Sequence, residues 1–513
     1  MIVITLLFVI LALFYYYNRN SYKYWESKGI KHDKPVLLFG NNYRNFTVKK
    51  SVTELATETY WRYPDEKAVG FYRAGRPELV VRDPEIIKRI LITDFVHFYP
   101  RGLNFHKDNV VEPIMRNLFF ADGDLWRLLR QRMTPAFTSG KLKAMFPLIV
   151  ERAEKLQSRA LSAAAAGHAI DARELMARYT TDFIGACGFG LDADSLKDED
   201  SEFRKLGAKI FKRNTRDILV TILNFVVPSI GKHFKIFESV EHDMLSLTRH
   251  ILGQRNYEPS GRNDFVDLLL ECKKKGTIVG ESIERKKPDG SPETATLELD
   301  DALMAAQIFV FFAAGFETSS SATSFTLHQL AYNPEVQKKV QEDIDRVLSK
   351  YNNKLSYEAV KEMTYLDWTF KEGMRMFPSL GFLMRECVRK TLIPELNITL
   401  DEGVRIFIPI QALQNDSKYF EEPEKFRPER FSPEEISDSN KYIYLPFGAG
   451  PRACIGERLG LMQSLAGLAA ILSRFTVSPA PETKQYPKVN PTSGIVQSIQ
   501  GGLPLYFKER KGT

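Results

Sequence analysis

Scarcity narrows this chain before any motif does. Its 513 residues hold four cysteines, Cys187, Cys272, Cys387 and Cys454, and no two of them form a C-x-x-C pair. Such spacing supplies neither a disulfide framework nor a finger-type metal set, and it fits a reducing compartment. No dense run of lysine or arginine occurs, which argues against nucleic acid as a partner. The net charge of +7 with a pI near 8.9 is mild, and suits an anionic membrane surface or an acidic protein. No linker-like break divides the chain, so one large domain is expected, although length alone would suggest about three.

Charge is also missing from the beginning. Met1–Tyr17 is apolar or aromatic almost throughout, and the first charged side chain is Arg19. As a helix it would span about 25 Å, nearly a bilayer core, with Tyr15–Tyr17 at the interface. A secretory signal normally opens on basic residues and ends on a small-residue cleavage site, and neither is present. Positive charge follows instead, at Arg19, Lys23, Lys28, Lys31 and Lys34. By the positive-inside rule residues 1–20 then form an N-terminal membrane anchor, with residues 21–513 as a cytosolic domain. The alternative is a removed signal peptide. With a cytosolic domain the sequons at Asn45, Asn397 and Asn415 go unused.

The chain is organised around Phe447–Gly456, F-G-A-G-P-R-A-C-I-G, followed by an amphipathic run, Ile455–Phe475. A thiolate needs partial positive charge nearby, and Cys454 would lie at a helix N-terminus, where free N–H groups point outward. Gly450 can take positive φ and fold the loop back beneath the sulfur. Gly456 puts no side chain between the helix and a flat ligand, Phe447 can shield the sulfur, and Arg452 can pair with a ligand carboxylate. A flat ligand with carboxylates on one axial thiolate describes haem. Phe447, Gly450, Arg452, Cys454 and Gly456 together resemble the haem-binding loop of the cytochrome P450 family. Cys454 is the implied axial iron ligand.

Further stretches match that family in the right order. Trp126 and Arg130, one helical turn apart within Ala121–Phe146, resemble a pair that binds a haem propionate. Arg101 and Arg385 stand at other propionate positions. A helix from about Asp300 to Leu330 carries Ala314-Gly315-Phe316-Glu317-Thr318, which is similar to the oxygen-activation motif. Small residues at 314 and 315 would leave room for dioxygen, and Thr318 would place a hydroxyl there with Glu317 as proton source. A threonine inside a helix also commonly bonds its own i−4 carbonyl. Glu372 and Arg375 match E-x-x-R, with Arg430 from P-E-R-F as their partner bracing the haem loop. Gln414 departs from the histidine usual in relatives, and the proline-rich hinge after the anchor is reduced to Pro35. Cys187, in G-A-C-G-F-G without an arginine, is read as structural. Ala68–Arg82 reads as a hairpin turning at Gly75-Arg76-Pro77, with a helix starting at Pro84. Asp217–Gly231 is either a membrane-touching segment over the substrate entrance or ordinary core helix. Lys273–Thr296, charged and rich in Gly and Pro, is expected to be a flexible loop.

The resemblance implies the mainly α cytochrome P450 fold with small β-sheets, of the microsomal type and closest to the insect detoxifying group. It implies haem b as cofactor, and electrons from NADPH through a reductase, with cytochrome b5 as a second donor. Membrane lipid and the endoplasmic reticulum are the implied setting. Arg127, Lys141, Lys143 and Arg458 are the implied docking face, a solvated charged face being the other reading. Two other classes compete: a non-catalytic haem-thiolate sensor, and a haem-thiolate isomerase that works without a reductase. Both are disfavoured by the presence of Glu317 with Thr318. The candidate pocket residues Phe105, Phe119, Val310, Ala313, Leu380, Phe382 and Ile495 are apolar, so a lipophilic small molecule is expected.

Overall fold

The computed structural model describes residues 20–106, 110–262, 264–436 and 441–510. The expected anchor at Met1–Tyr17 lies outside the described residues. Val52–Arg62 (α1) opens on a reciprocal cap, Ser51 accepting from Glu54 N while Glu54 accepts from Ser51 N. Strands Ala68–Arg73 (β1) and Arg76–Val81 (β2) pair antiparallel. Their turn lies at Ala74-Gly75, one residue earlier than expected, with Ala74 itself at φ +52°. The expected helix at Pro84 is a short one, Pro84–Lys88 (α2), capped by Asp83.

The helix expected to carry Trp126 and Arg130 is present within residues 121–146. Gly123–Met133 (α3) ends in a 3₁₀ turn at Thr134–Phe137, and Ser139–Ala166 (α4) follows. Ala172–Ile184 (α5) leads into a π turn holding Cys187, which is buried as expected. Thr215–Val226 (α6) carries the segment before Pro228. Glu238–Gln254 (α7) and Phe265–Lys274 (α8) come next.

The loop expected over Lys273–Thr296 is instead an antiparallel hairpin, Ile278–Lys286 (β3) with Pro292–Leu297 (β4). Charge and glycine hid its alternation. Ile278, Ser282 and Ala295 face inward, and Gly290 makes the turn at φ +84°.

Asp301–Tyr332 (α9) is the central helix, N-capped by Asp300, and packs against α5 more than against any other element. Among the described residues it is the helix long and apolar enough to cross a membrane, but it lies inside the protein. Pro334–Lys350 (α10) and Thr364–Met376 (α11) follow. Leu383–Glu386 (β5) and Arg405–Ile408 (β6) complete a four-stranded sheet in the order β1-β2-β6-β5. Glu457–Arg474 (α12) packs on α4 and α9 and ends at Phe475–Pro479 (β7), which pairs with Pro504–Glu509 (β8). The large core runs through α4, α5, α9, α11 and α12, and a second one sits under the four-stranded sheet. The result is mainly helical with small sheets, as expected.

Candidate functional site

The cysteine loop is built by close backbone approach. Gly450 has φ +71°, and a Cβ there would stand 2.0 Å from Leu91 O, so glycine is required twice over. Cys454 N donates to Phe447 O at 2.8 Å, closing the loop. The helix after it begins at Glu457, with Gly456 as N-cap, slightly later than expected. Beside Gly456 a Cβ would meet only Phe137, at an ordinary 3.7 Å, so protein packing leaves that flank free.

Three arginines fasten this loop to the rest of the molecule, and a fourth, Arg385, lies near them. Arg101 Nη2 donates to Arg452 O at 3.3 Å, and Arg130 Nη1 to Ala453 O at 2.8 Å. Arg452 is 3% exposed and donates to Tyr99 O at 3.0 Å, Ala121 O at 2.9 Å and Asp122 Oδ1 at 2.9 Å. Its guanidinium stacks on Trp126, 4.2 Å from the ring centroid. Arg452 is therefore largely engaged by protein, as the clip that holds the loop. Arg385, 2% exposed, bonds only the neighbouring carbonyl of Met384 at 2.7 Å, and its Nε is buried with no partner among the described residues.

These cations outnumber the carboxylates beside them. Asp122 is the carboxylate among them, accepting from Arg452 and from Arg101 N. Burial pulls Arg101 down to about 10, with Asp122 and Cys454 opposing. Burial, then the neighbouring Arg101 cation, pulls Arg385 down to about 9. Arg452 falls well below its ordinary value, first by burial and then through Arg101. A cluster so short of negative charge, with an orphaned donor on Arg385, suits a ligand that brings carboxylates.

Cys454 and Arg101 share a second property. Protein surrounds both densely enough for desolvation to dominate their titration, yet the cysteine is exposed and the arginine half-buried, so each keeps one face open. Burial, and after it the neighbouring Glu457 charge, push the Cys454 thiol up, while the Gly456 N–H, Arg130 and Arg101 pull it down. Burial also pushes Cys187 up strongly, as befits an inert packing cysteine.

Thr318 lies where α9 meets α12: the next residue, Ser319, would touch a Cβ on Gly460 at 3.7 Å. Ala314 is exposed in the middle of this mostly buried helix. Thr318 Oγ1 donates back to Ala314 O at 2.7 Å, the ordinary helical arrangement, which leaves its lone pairs free to accept. Thr318 O also receives Ser379 Oγ at 2.8 Å. Gly315 is not beside Ala314 in function. A Cβ there would stand 2.3 Å from Ile184 Cδ1, so its small size serves the packing of α5 on α9 rather than space for a ligand. Glu317 is buried and ion-paired with Arg173 of α5.

The brace behind the loop is complete. Arg375 and Glu372 are fully buried and paired at 2.8 Å, and Arg430 Nε reaches Glu372 at 3.3 Å. Arg375 also donates to Gln414 O at 2.8 Å and Pro423 O at 2.7 Å. Gln414, the departure from relatives, is a hinge pin: it donates to Met374 O and Arg375 O and accepts from Leu445 N. Asp122, Arg173 and Ser379 were missed from sequence. Asp122 left a trace as a polar residue just before α3, whereas Arg173 and Ser379 left none.

Other expected residues are dispersed. Phe382 stacks on Phe407 in a sheet core rather than lining open space. Phe105 meets Phe225 edge-on, and Phe119 lies under Arg101. Ala313 is buried, while Val310, Leu380 and Ile495 are partly buried. Of the expected docking cations, Arg127 pairs with Glu281, Lys143 with Glu358, and Arg458 bonds Ser139. Cavities of about 330 and 280 Å³ lie elsewhere, the first between residues 33–44 and α1, the second beside Phe325 and Phe377.

Comparison with known proteins agrees with this geometry. The family model for cytochrome P450 matches residues 32–504. The chain is 35% identical over 504 residues to cytochrome P450 6B2 of Helicoverpa armigera, covering 98% of this chain and 97% of that one. It is 36% identical over 516 positions to cytochrome P450 6a2 of Drosophila melanogaster, covering 98% and 99%. Cytochrome P450 6B1 of Papilio polyxenes is 35% identical, with 93% of each chain covered.

Proposed function

Because the chain belongs to the cytochrome P450 family of haem monooxygenases, we propose that it oxidises lipophilic small molecules with electrons passed from NADPH by a membrane-bound reductase, at the cytosolic face of the endoplasmic reticulum. The observation that carries this reading is the arginine cluster beside an open cysteine. Arg385 has a donor for a ligand carboxylate with Arg101 beside it, and Cys454 Sγ, toward which the Gly456 N–H is directed, would be the thiolate that holds the haem iron. Trp126 holds Arg452 flat, and Arg130 holds the carbonyl next to the cysteine, so the loop is set before any ligand arrives. Haem, when bound, supplies the activation of dioxygen.

The chain's own task is to orient substrate, exclude water and deliver protons. Exposed Ala314 leaves room on α9, and Thr318 Oγ1 one turn on can hold a water by its free lone pairs. Rotation of that hydroxyl off Ala314 O would present its proton to the same space. Glu317, ion-paired with Arg173, is the neighbouring acid and would serve as the proton source.

Removing a positioned proton-transfer group costs about 10²–10⁴-fold in the assisted step. Thr318→Ala should keep haem binding and much of the NADPH consumption while diverting electrons to hydrogen peroxide. The measurement is product per NADPH consumed, with reductase in excess and a lipophilic substrate panel. Unchanged coupling across the panel would leave Thr318 as a packing residue. Turnover without reductase or NADPH would favour the isomerase instead.

A further inference from the structure

The β3–β4 hairpin is bound to a helix that helps hold the cysteine loop. Helix α3 lies between them. On its inner side Asp122 takes Arg452 and Arg101 N, and Arg130 takes Ala453 O. Asp122 is the N-cap residue of α3, but its carboxylate makes no capping bond, because those two groups occupy it. The first-turn N–H groups must therefore find acceptors elsewhere.

They find one in the hairpin. Asp124 N donates to Glu284 Oε2 at 3.1 Å, across 160 residues of sequence. The exchange is reciprocal. Asp124 accepts from Ser282 Oγ at 2.9 and 2.8 Å and from Ile283 N at 2.7 Å, at the irregularity between Glu281 and Lys286. Ser282 is 3% exposed, and its Oγ in turn accepts from Glu284 N at 3.1 Å and Arg285 N at 2.8 Å. Gly123, at φ +58°, lets the Glu284 carboxylate come in close, where a Cβ would stand 2.3 Å from it and push it aside. Farther along, Gly280 lets Leu128 approach, and Leu128 packs with Ile278, Ala295 and Leu297.

We propose that Ser282 and Glu284 are positioning residues: through a capping exchange with Asp124 they hold the start of α3, and thereby Arg452, Arg130 and the Cys454 loop. This rests on the haem-thiolate reading above for its spectroscopic consequence, and on geometry alone for its mechanical one. A capped α3 keeps Asp122 free for Arg452. An uncapped one draws Asp122 back toward its own N–H groups, and Arg452 loses its anchor.

The test compares Ser282→Ala and Glu284→Ala with Glu284→Gln in the purified haem protein. Glu284→Gln keeps an acceptor at the same place. Amide hydrogen exchange of residues 124–127 should rise roughly fivefold in both alanine variants and stay within about twofold of the parent in Glu284→Gln. Under mild urea the thiolate-type ferrous–CO band should convert to the thiol-type band faster in the alanine variants, by a similar factor. Unchanged exchange in both alanine variants overturns the proposal. So does an equal rise across α9 and α12, which would mark general destabilisation. Should Ser282→Ala fail to fold, Glu284→Ala and its glutamine control decide alone. A parent with no thiolate-type band would refute the haem reading, while the exchange comparison would still judge the hairpin.

Discussion

Cys454 and Cys187 each sit among glycines near a helix end, yet their surroundings assign them opposite roles. Cys187 is sealed in a π turn with its thiol pushed up by burial, and Cys454 keeps an open face, receives the Gly456 N–H and lies in the field of the Arg130 and Arg101 cations. Cys454→Ser should therefore abolish the red-shifted ferrous–CO band of a thiolate ligand, while Cys187→Ser keeps it. Retention of that band in Cys454→Ser would remove Cys454 as the ligand. At this scale the loop was legible in sequence because its glycines and cysteine act through local backbone geometry. The roles of Arg452 and Gly315 were not, because they depend on which distant group stands opposite: Asp122 and Tyr99 O for one, Ile184 for the other.

Between elements, the buried triad of Glu372, Arg375 and Arg430 ties α11 to the segment before the cysteine loop. Breaking a buried pair by deleting one partner strands the other charge and costs about 3–5 kcal/mol. Glu372→Ala should lower thermal stability and haem retention together, and a change under about 1 kcal/mol in denaturant unfolding would count against the brace. A second tie joins the segment before α3 to the start of α7. Glu112, 1% exposed, accepts from Ile236 N at 3.0 Å and from Phe237 N, with His106, Glu241 and Lys235 around it. Burial pushes its carboxyl up to about 7, against the pull of those two N–H groups. An acid whose folded pKa is raised stabilises while protonated. Its contribution is complete below its ordinary value near 4.5 and is lost as pH climbs through about 7. Glu112→Gln should flatten the dependence of melting temperature on pH across that window, and parallel curves for variant and parent would refute the assignment.

For the whole molecule, the loop, the triad of Glu372, Arg375 and Arg430 and the arginine cluster come from separate parts of the chain around the central α9. If Met1–Tyr17 anchors that domain on the cytosolic side, protease added to sealed microsomes should remove the bulk of the chain. Protection, or glycan on Asn45, would place it in the lumen. The expected docking cations Arg127, Lys143 and Arg458 are paired or bonded within the protein, Arg127 by the hairpin's own Glu281.

The sequence by itself determined the family, the helical class, the central helix to within two residues at either end, the tight glycine-bearing loop at Cys454 and the three-residue spacing of Glu372 and Arg375 on one helix. Those signals are short-range: a glycine's φ, a cap, a period of 3.6, a pair three residues apart. Tertiary structure alone decided that Lys273–Thr296 holds a hairpin, that Glu317 pairs with Arg173, that Asp122 sits among the arginines, and that Gln414 pins α11 to Leu445. Each of these is an encounter between residues far apart in the chain, and a buried charge or an uncapped N–H takes its meaning from the group that the fold sets against it.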